Sequence, residues 1–128
     1  MNLPTGLKYT KEHEWVKKEG DVCVVGITDY AQNALGDIVY VELPGKGDNV
    51  EKSKSVAVVE SVKSVSDIYA PVSGEVVEVN SQLEDKPELI TSSPYEEGWM
   101  FKIRMRDSGE LDDLMDSEGY SKHVAESR

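Results

Sequence analysis

Short apolar runs recur along the chain, and most carry the two-residue period of strands. Val22–Ile27, read as VCVVGI, is β-branched and uncharged, which predicts a buried strand. The stretch that follows, TDYAQNALG, changes period. Thr28 or Asp29 can cap a helix and Gly36 can end it in the left-handed conformation. A helix of about two turns is expected there, with Tyr30, Ala34 and Leu35 turned inward. In IVYVEL, Ile38, Tyr40 and Glu42 alternate with Val39, Val41 and Leu43, a strand that Pro44-Gly45 and Gly47-Asp48 interrupt. SVAVVESV predicts another strand. After Lys63 come SVSDIYA, a turn from Pro71 to Gly74, and the strand EVVEVN. Pro87 and Pro94 mark a looser region, and WMFKIRM, Trp99 to Met105, predicts the last strand.

Near the C-terminus the period lengthens. Leu111, Leu114 and Met115 stand at helical spacing, Ser108 can cap them, and Gly119 is expected to set off a short last helix. The reading is one domain over residues 1–128, with a helical extension over about 108–126. Its class is mainly β, a sandwich or flattened barrel with one short internal helix.

Lys63 lies at equal chain distance from Val50, which follows the Gly47 turn, and Val76, which follows the Gly74 turn. Equal arms predict a protruding hairpin with Lys63 at its tip. Gly45, Gly74 and Pro71 read as turn formers.

Composition narrows the function. The 128 residues carry 25 acidic and 14 basic side chains, a net charge of −11. A surface this acidic repels phosphate backbones and anionic lipids, which argues against nucleic acid and membrane partners and favours basic protein faces. No run approaches the roughly 18 apolar residues of a membrane span. MNLPTGLKYT has no apolar leader, so a cytoplasmic protein is expected. The single cysteine, Cys23, allows no internal disulfide and sits in a strand-like run, where a small buried hydrophobe is expected.

Conventional catalytic sets are missing. The two histidines, His13 and His123, are far apart in sequence, and CxxC, HExxH, GxSxG and GxGxxG do not occur. His13, beside Glu14 and Trp15, reads as structural. The acidic DSEGY and ELDD segments lack the alternating ligands of a calcium loop. A reactive lysine amine needs an apolar pocket or a neighbouring cation, and an exposed Lys63 near Glu60 and Asp67 has neither. What an exposed turn offers is access, for an enzyme that modifies the amine and for a modified side chain that visits other active sites.

ESVKSVSDIYAPVSGEVVEVN closely resembles the lipoyl-attachment segment of the glycine cleavage system H protein family. YTKEHEWV (Tyr9 to Val16), VGITDYAQNALGDIVYVELPGKG (Val25 to Gly47) and SSPYEEGWMFKI (Ser92 to Ile103) resemble the same family, in its order, so the likeness spans about residues 7–125. It implies a barrel-sandwich hybrid of two antiparallel sheets with the lysine on a hairpin turn. It also implies a carrier without chemistry of its own, lipoylated through an amide on Lys63. A pyridoxal-phosphate-dependent glycine decarboxylase (the P protein) would load an aminomethyl group on the lipoyl sulfur. A tetrahydrofolate-dependent aminomethyltransferase (the T protein) would take it off. Dihydrolipoyl dehydrogenase (the L protein) would reoxidise the dithiol. The resemblance further implies that Glu14 and Asp67 lie near the docked amine, and that Glu60 helps lipoate-attaching enzymes recognise the hairpin.

Rival readings differ at identifiable residues. Biotin carriers usually hold their lysine as Met-Lys-Met, whereas Val62 and Ser64 flank Lys63 here. Lipoyl domains of 2-oxoacid dehydrogenases are shorter and lack the EHEW and GWM blocks. A protein that relays lipoyl groups or acts only as a binding module would use the same lysine. An autonomous enzyme would need turnover without the P, T and L proteins.

Overall fold

The structure, a computed structural model, describes residues 2–126. Two antiparallel sheets enclose the main core. In chain order the strands are β1 (Lys8–Tyr9), β2 (Glu14–Glu19), β3 (Val22–Ile27), β4 (Ile38–Glu42), β5 (Asn49–Val50), β6 (Ser55–Ser61), β7 (Val65–Tyr69), β8 (Gly74–Val79) and β9 (Phe101–Met105). The larger sheet has the order β1-β2-β3-β9-β8-β5 and the smaller one β4-β6-β7. Val25, Ile27, Val76, Phe101 and Ile103 of the larger sheet meet Val41, Ala57, Val59 and Ile68 of the smaller one. Burial of these branched and aromatic side chains supplies the main driving force. The mainly β, two-sheet expectation is met.

The helix α1 (Asp29–Leu35) forms where TDYAQNALG predicts it. Thr28 Oγ1 accepts the Ala31 amide at 3.2 Å, and Gly36 ends the helix at φ 81°. The inward face differs from expectation. Ala34 is exposed, and Gln32 is buried in its place, donating to Asp29 Oδ1 at 2.6 Å. A polar residue can be turned in there because its amide is satisfied by its own helix.

β4 departs from strict alternation. A register shift between Ile38 and Tyr40 leaves Ile38 and Val41 buried and Val39 and Tyr40 exposed. A bulge adds one residue to one strand, so the apolar period slips. The looser region around Pro87 contains two single-turn helices, α2 (Gln82–Asp85) and α3 (Leu89–Ser92), each anchored by one buried residue, Leu83 and Ile90.

The C-terminal expectation is corrected in three places. A 3-10 helix spans Ser108–Asp113, capped by Asp107, whose Oδ1 accepts the Gly109 amide at 2.9 Å; Ser108 is not the cap. Leu114 is extended, because the next residue, Met115, pairs with β1: Tyr9 N donates to Met115 O at 2.7 Å and Met115 N to Tyr9 O at 2.9 Å. Backbone groups taken by a sheet partner cannot also serve a helix. The last helix, α4 (Ser117–Glu126), contains Gly119 in its first turn, where Asp116 Oδ1 accepts the Gly119 amide at 2.8 Å.

α4 covers the outer face of the larger sheet with a second apolar cluster of Tyr9, Trp15, Val24, Tyr120 and Val124. The Tyr9 and Tyr120 rings stack at 4.9 Å. The Tyr120 hydroxyl lies 2.7 Å from His13 Nδ1 and 2.8 Å from Thr28 Oγ1. Burial holds the His13 imidazole below its ordinary pKa, with His123 adding to the effect. Cys23 is fully buried, and burial pushes its thiol up to about 12, which makes it the inert hydrophobe expected.

Gly45 serves its turn, bonded both ways with Asp48. Gly74 does not act as a turn former. It is buried at the start of β8, paired with Val50 and Met105, and a Cβ there would overlap the Arg104 carbonyl and Ile103 Cγ2. Gly74→Ala is expected to destabilise the protein by about 3 kcal/mol, since the obstruction is backbone. Urea unfolding checks it, and a loss below about 1 kcal/mol would show that the strands can part.

Candidate functional site

β6 and β7 form one hairpin, and Lys63 sits in the turn that joins them. The Ser61 amide donates to Ser64 O at 2.8 Å, and Ser61 Oγ lies 3.3 Å from the Lys63 amide and 3.1 Å from the Ser64 amide. A serine that holds two turn amides fixes the backbone while leaving the lysine side chain outside. The turn is also tied to the α1–β4 connection, where Val62 N donates to Asp37 O at 3.0 Å. Lys63 is exposed and takes part in none of the ion pairs among the described residues. Its stem runs past Gly36, and a Cβ built on Gly36 would come within 3.5 Å of Lys63 Cε. The positive φ of Gly36 favours glycine there, while the contact with the lysine stem would be an ordinary one.

The sequence-level candidates fall into two groups. Glu60 is half-buried, opposite Val65 on β7 and Tyr40 on β4, so it stands on the outer face of the small sheet close to the turn. Asp67 is exposed, opposite Val58, and accepts from Ser55 Oγ at 3.1 Å. Glu14 is elsewhere. It begins β2 in the other sheet and is 1% exposed.

Glu14 has partners for both oxygens. Thr10 Oγ1 donates to Oε1 at 2.6 Å, and the Tyr69 amide, at the end of β7, donates to Oε2 at 3.2 Å. The Glu14 amide in turn donates to Thr10 Oγ1 at 3.0 Å. The carboxyl thus joins β2 of the larger sheet to the edge strand of the smaller one. Burial raises its pKa from 4.5 to about 7, the hydrogen bonds from Thr10 and Tyr69 oppose the rise, and the charge of Glu12 adds to it.

Glu14 lines a pocket of about 330 Å³, walled by Thr10, Tyr69, Pro71 and Met115 among others. Lys52 and Asp113 stand on its rim, bridged at 3.0 Å. β7 runs from the lysine turn towards this pocket, and its four steps from Val65 to Tyr69 cover about 13 Å. Asp67 does not line the pocket, so the pairing of Glu14 with Asp67 at one site is not seen; Asp67 instead flanks the path between turn and pocket. Thr10 and Tyr69 were missed at the level of sequence. The four-residue spacing of Thr10 and Glu14 was the available signal, but Tyr69 comes from a different sheet and gave none.

The family model described as "Glycine cleavage H-protein" matches residues 7–127. A "Glycine cleavage system H protein" of Thermus thermophilus is 62% identical over 122 residues, covering 95% of each chain. That of Staphylococcus carnosus is 56% identical over 126 residues, covering 98% of this chain and all of the other. The crystal structure of a glycine cleavage system H protein from Mycobacterium marinum superimposes with a TM-score of 0.85 at 37% identity, covering 98% of each chain. With two sheets, a lysine on their outer hairpin and a family match along nearly the whole length, the chain belongs to the glycine cleavage system H proteins.

Proposed function

We propose that this chain carries lipoate as an amide on Lys63 and shuttles the aminomethyl group of glycine from the P protein to the T protein, after which the L protein reoxidises the dithiol. The observation that carries the reading is the exposed Lys63 in a serine-braced turn, in a chain whose residues 7–127 match the family. The lysine stem and the lipoyl chain together reach about 14 Å. Attachment proceeds when the deprotonated Lys63 Nζ attacks the carbonyl carbon of a lipoyl thioester or lipoyl adenylate. A C–N bond forms, the bond to the leaving group breaks, that group takes the electron pair, and the amine proton passes to a base. The amide has no charge, which eases entry of the arm into an apolar cleft.

The reach of the arm is of the same order as the length of β7, so a loaded arm laid along that strand approaches the Glu14 pocket. Glu14 is the carboxylate partner for the cationic amine of the cargo, Asp67 a flanking charge along the way, and Glu60 a contact for the lipoate-attaching enzyme. Shelter in the pocket keeps water from the bound intermediate.

The test is intact mass with peptide mapping on protein made in cells supplied with lipoate, followed by P protein-dependent exchange of glycine with bicarbonate. One lipoyl adduct on Lys63 and exchange by the adduct alone are expected. A bare Lys63, under conditions in which another lipoyl domain is modified, would overturn the carrier reading.

A further inference from the structure

Five ion pairs stand among the described residues, and four of them join side chains within one strand, one helix or two hydrogen-bonded strands. The fifth, Lys52 with Asp113, differs. At 3.0 Å it is the shortest of the five, and it links segments that share no backbone pairing. Lys52 lies in the turn between β5 and β6, and Asp113 ends the 3-10 helix. Both line the Glu14 pocket, from these separate elements.

Each element is anchored away from the rim. The Ser53 amide donates to Ala70 O at 2.8 Å and the Ala70 amide to Lys54 O at 2.9 Å, which fastens the turn to the chain beyond β7. The 3-10 helix is fastened by Glu110, whose Oε1 accepts the Ser73 amide at 2.8 Å, while Ser73 Oγ accepts the Lys52 amide at 2.9 Å. The chain is fixed again at Met115, which pairs with Tyr9. Asp113 and Leu114 therefore lie between two fixed points, Glu110 and Met115. The anchors are partly buried, but the Asp113 side chain is 74% exposed. An ion pair in that setting is worth only about twofold to fivefold in an equilibrium, which suits a contact that has to open and close.

We propose that Lys52 and Asp113 form a clasp at the mouth of the Glu14 pocket, and that its opening sets how fast a loaded arm leaves and water enters. The proposal rests on the docking of the loaded arm beside Glu14 and adds the regulation of that site. Neither residue touches the reacting atoms, so both are positioning residues. With the pair made, the short span of Asp113 and Leu114 is drawn to the β5–β6 turn and the two walls stay together. With it broken, Glu110 and Met115 still hold their partners, so only the rim loosens and the fold stays intact. Pairing also cancels charge at the rim. A lysine left alone there would repel a cationic cargo, and an aspartate left alone would attract it. Breaking the clasp from either side thus has one mechanical effect but two opposite electrostatic ones, and this separates a clasp from a simple rim charge.

The experiment compares the full chain with Lys52→Met, Asp113→Asn and the exchanged pair Lys52→Asp/Asp113→Lys. On unmodified protein, amide hydrogen exchange at Leu114 is expected to quicken about twofold to fivefold in each single variant and to return towards wild type in the exchanged pair, with β3 amides unchanged. On lipoylated protein loaded from glycine by the P protein, loss of cargo is followed as formaldehyde. That hydrolysis breaks the C–S bond, sends the electron pair and a proton to sulfur, and frees the carbon as formaldehyde and the nitrogen as ammonia. Both single variants are expected to lose cargo about twofold to fivefold faster, and the exchanged pair to recover. Salt should quicken the loss from wild type and change it less in the single variants, since an exposed pair is screened more than a buried one. Single variants that shift the rate in opposite directions would overturn the clasp in favour of rim charge acting through space. Unchanged exchange and cargo loss in both would overturn it outright. Glu14→Gln in the same assay separates the two levels: faster loss there with no effect at the rim leaves the docking intact and removes the clasp, whereas no effect at Glu14 removes the docking and the clasp together.

Discussion

Lys63→Arg protein is expected to fold with the wild-type melting temperature, to keep its unmodified mass after exposure to a lipoate-attaching enzyme, and to support no glycine–bicarbonate exchange. Stability is unaffected because the side chain is exposed and joins none of the ion pairs described. The turn is held by Ser61 Oγ and by backbone bonds from Ser61 and Val62, none of which involves the lysine side chain. Such a surface change stays within about 0.5 kcal/mol. Attachment fails for a different reason. An arginine guanidinium stays protonated at any working pH and has no free lone pair to attack an acyl carbon. The loss should therefore be complete, with no residual rate of the kind a displaced lysine would leave. Mass spectrometry reads the first outcome and labelled-bicarbonate exchange the second. Exchange above background by unmodified Lys63→Arg protein would mean that cargo travels by another group, and the carrier reading would fall.

The sequence made some of this arrangement legible, and the exceptions have physical causes. VCVVGI, SVAVVESV and EVVEVN announced β3, β6 and β8 because each buries β-branched side chains along a clear run. β2 gave no such signal. Trp15 packs outward in the second apolar cluster beside Tyr95 and Val16 inward on the main core, so both faces are buried, and Lys17, Lys18 and Glu19 then follow in solvent. Alternation cannot be seen where both faces are covered. The C-terminus misled for a related reason. Helical spacing of Leu111, Leu114 and Met115 is a local property, but the bridge from Met115 to Tyr9 is a pairing across more than a hundred residues. The lysine turn was legible from its equal flanking arms, since Val50 and Val76 lie on adjacent strands β5 and β8. The pocket was only half legible. Glu14 stood out in a family-like block, while Tyr69, which completes its hydrogen bonds, reaches it only after the two sheets close.

Substitution of Glu14 is expected to act in opposite directions on stability and on the lifetime of the loaded arm. In the folded protein its pKa is about 7, against 4.5 for an ordinary glutamate. A raised carboxyl means that the native state holds the proton more tightly than the unfolded chain. Its stabilising contribution is therefore fully present below about pH 4.5 and is lost as pH rises through 7. The difference corresponds to about 3 kcal/mol. Glu14→Gln, neutral throughout, should be more stable than wild type at pH 8 by up to about 3 kcal/mol and close to it at about pH 4.5, when the two are compared by denaturant unfolding. A less stable variant at about pH 8 would show that the ionised carboxylate, bonded by Thr10 and Tyr69, offsets its own burial. The loaded arm should respond the other way. A buried carboxylate beside a cationic amine makes a charge-assisted bond worth about 1.5–3 kcal/mol. Lipoylated Glu14→Gln should therefore release the aminomethyl group about tenfold to a hundredfold faster. In wild type the lifetime should shorten as acid protonates Glu14, with a midpoint below 7 because the bound cation itself favours the carboxylate. A lifetime independent of both pH and the substitution would leave Glu14 only its place between the sheets. If both outcomes are seen, the stability that the buried carboxyl costs at neutral pH is the counterpart of its hold on the cationic cargo, since Thr10 and Tyr69 supply hydrogen bonds to Glu14 but no positive charge.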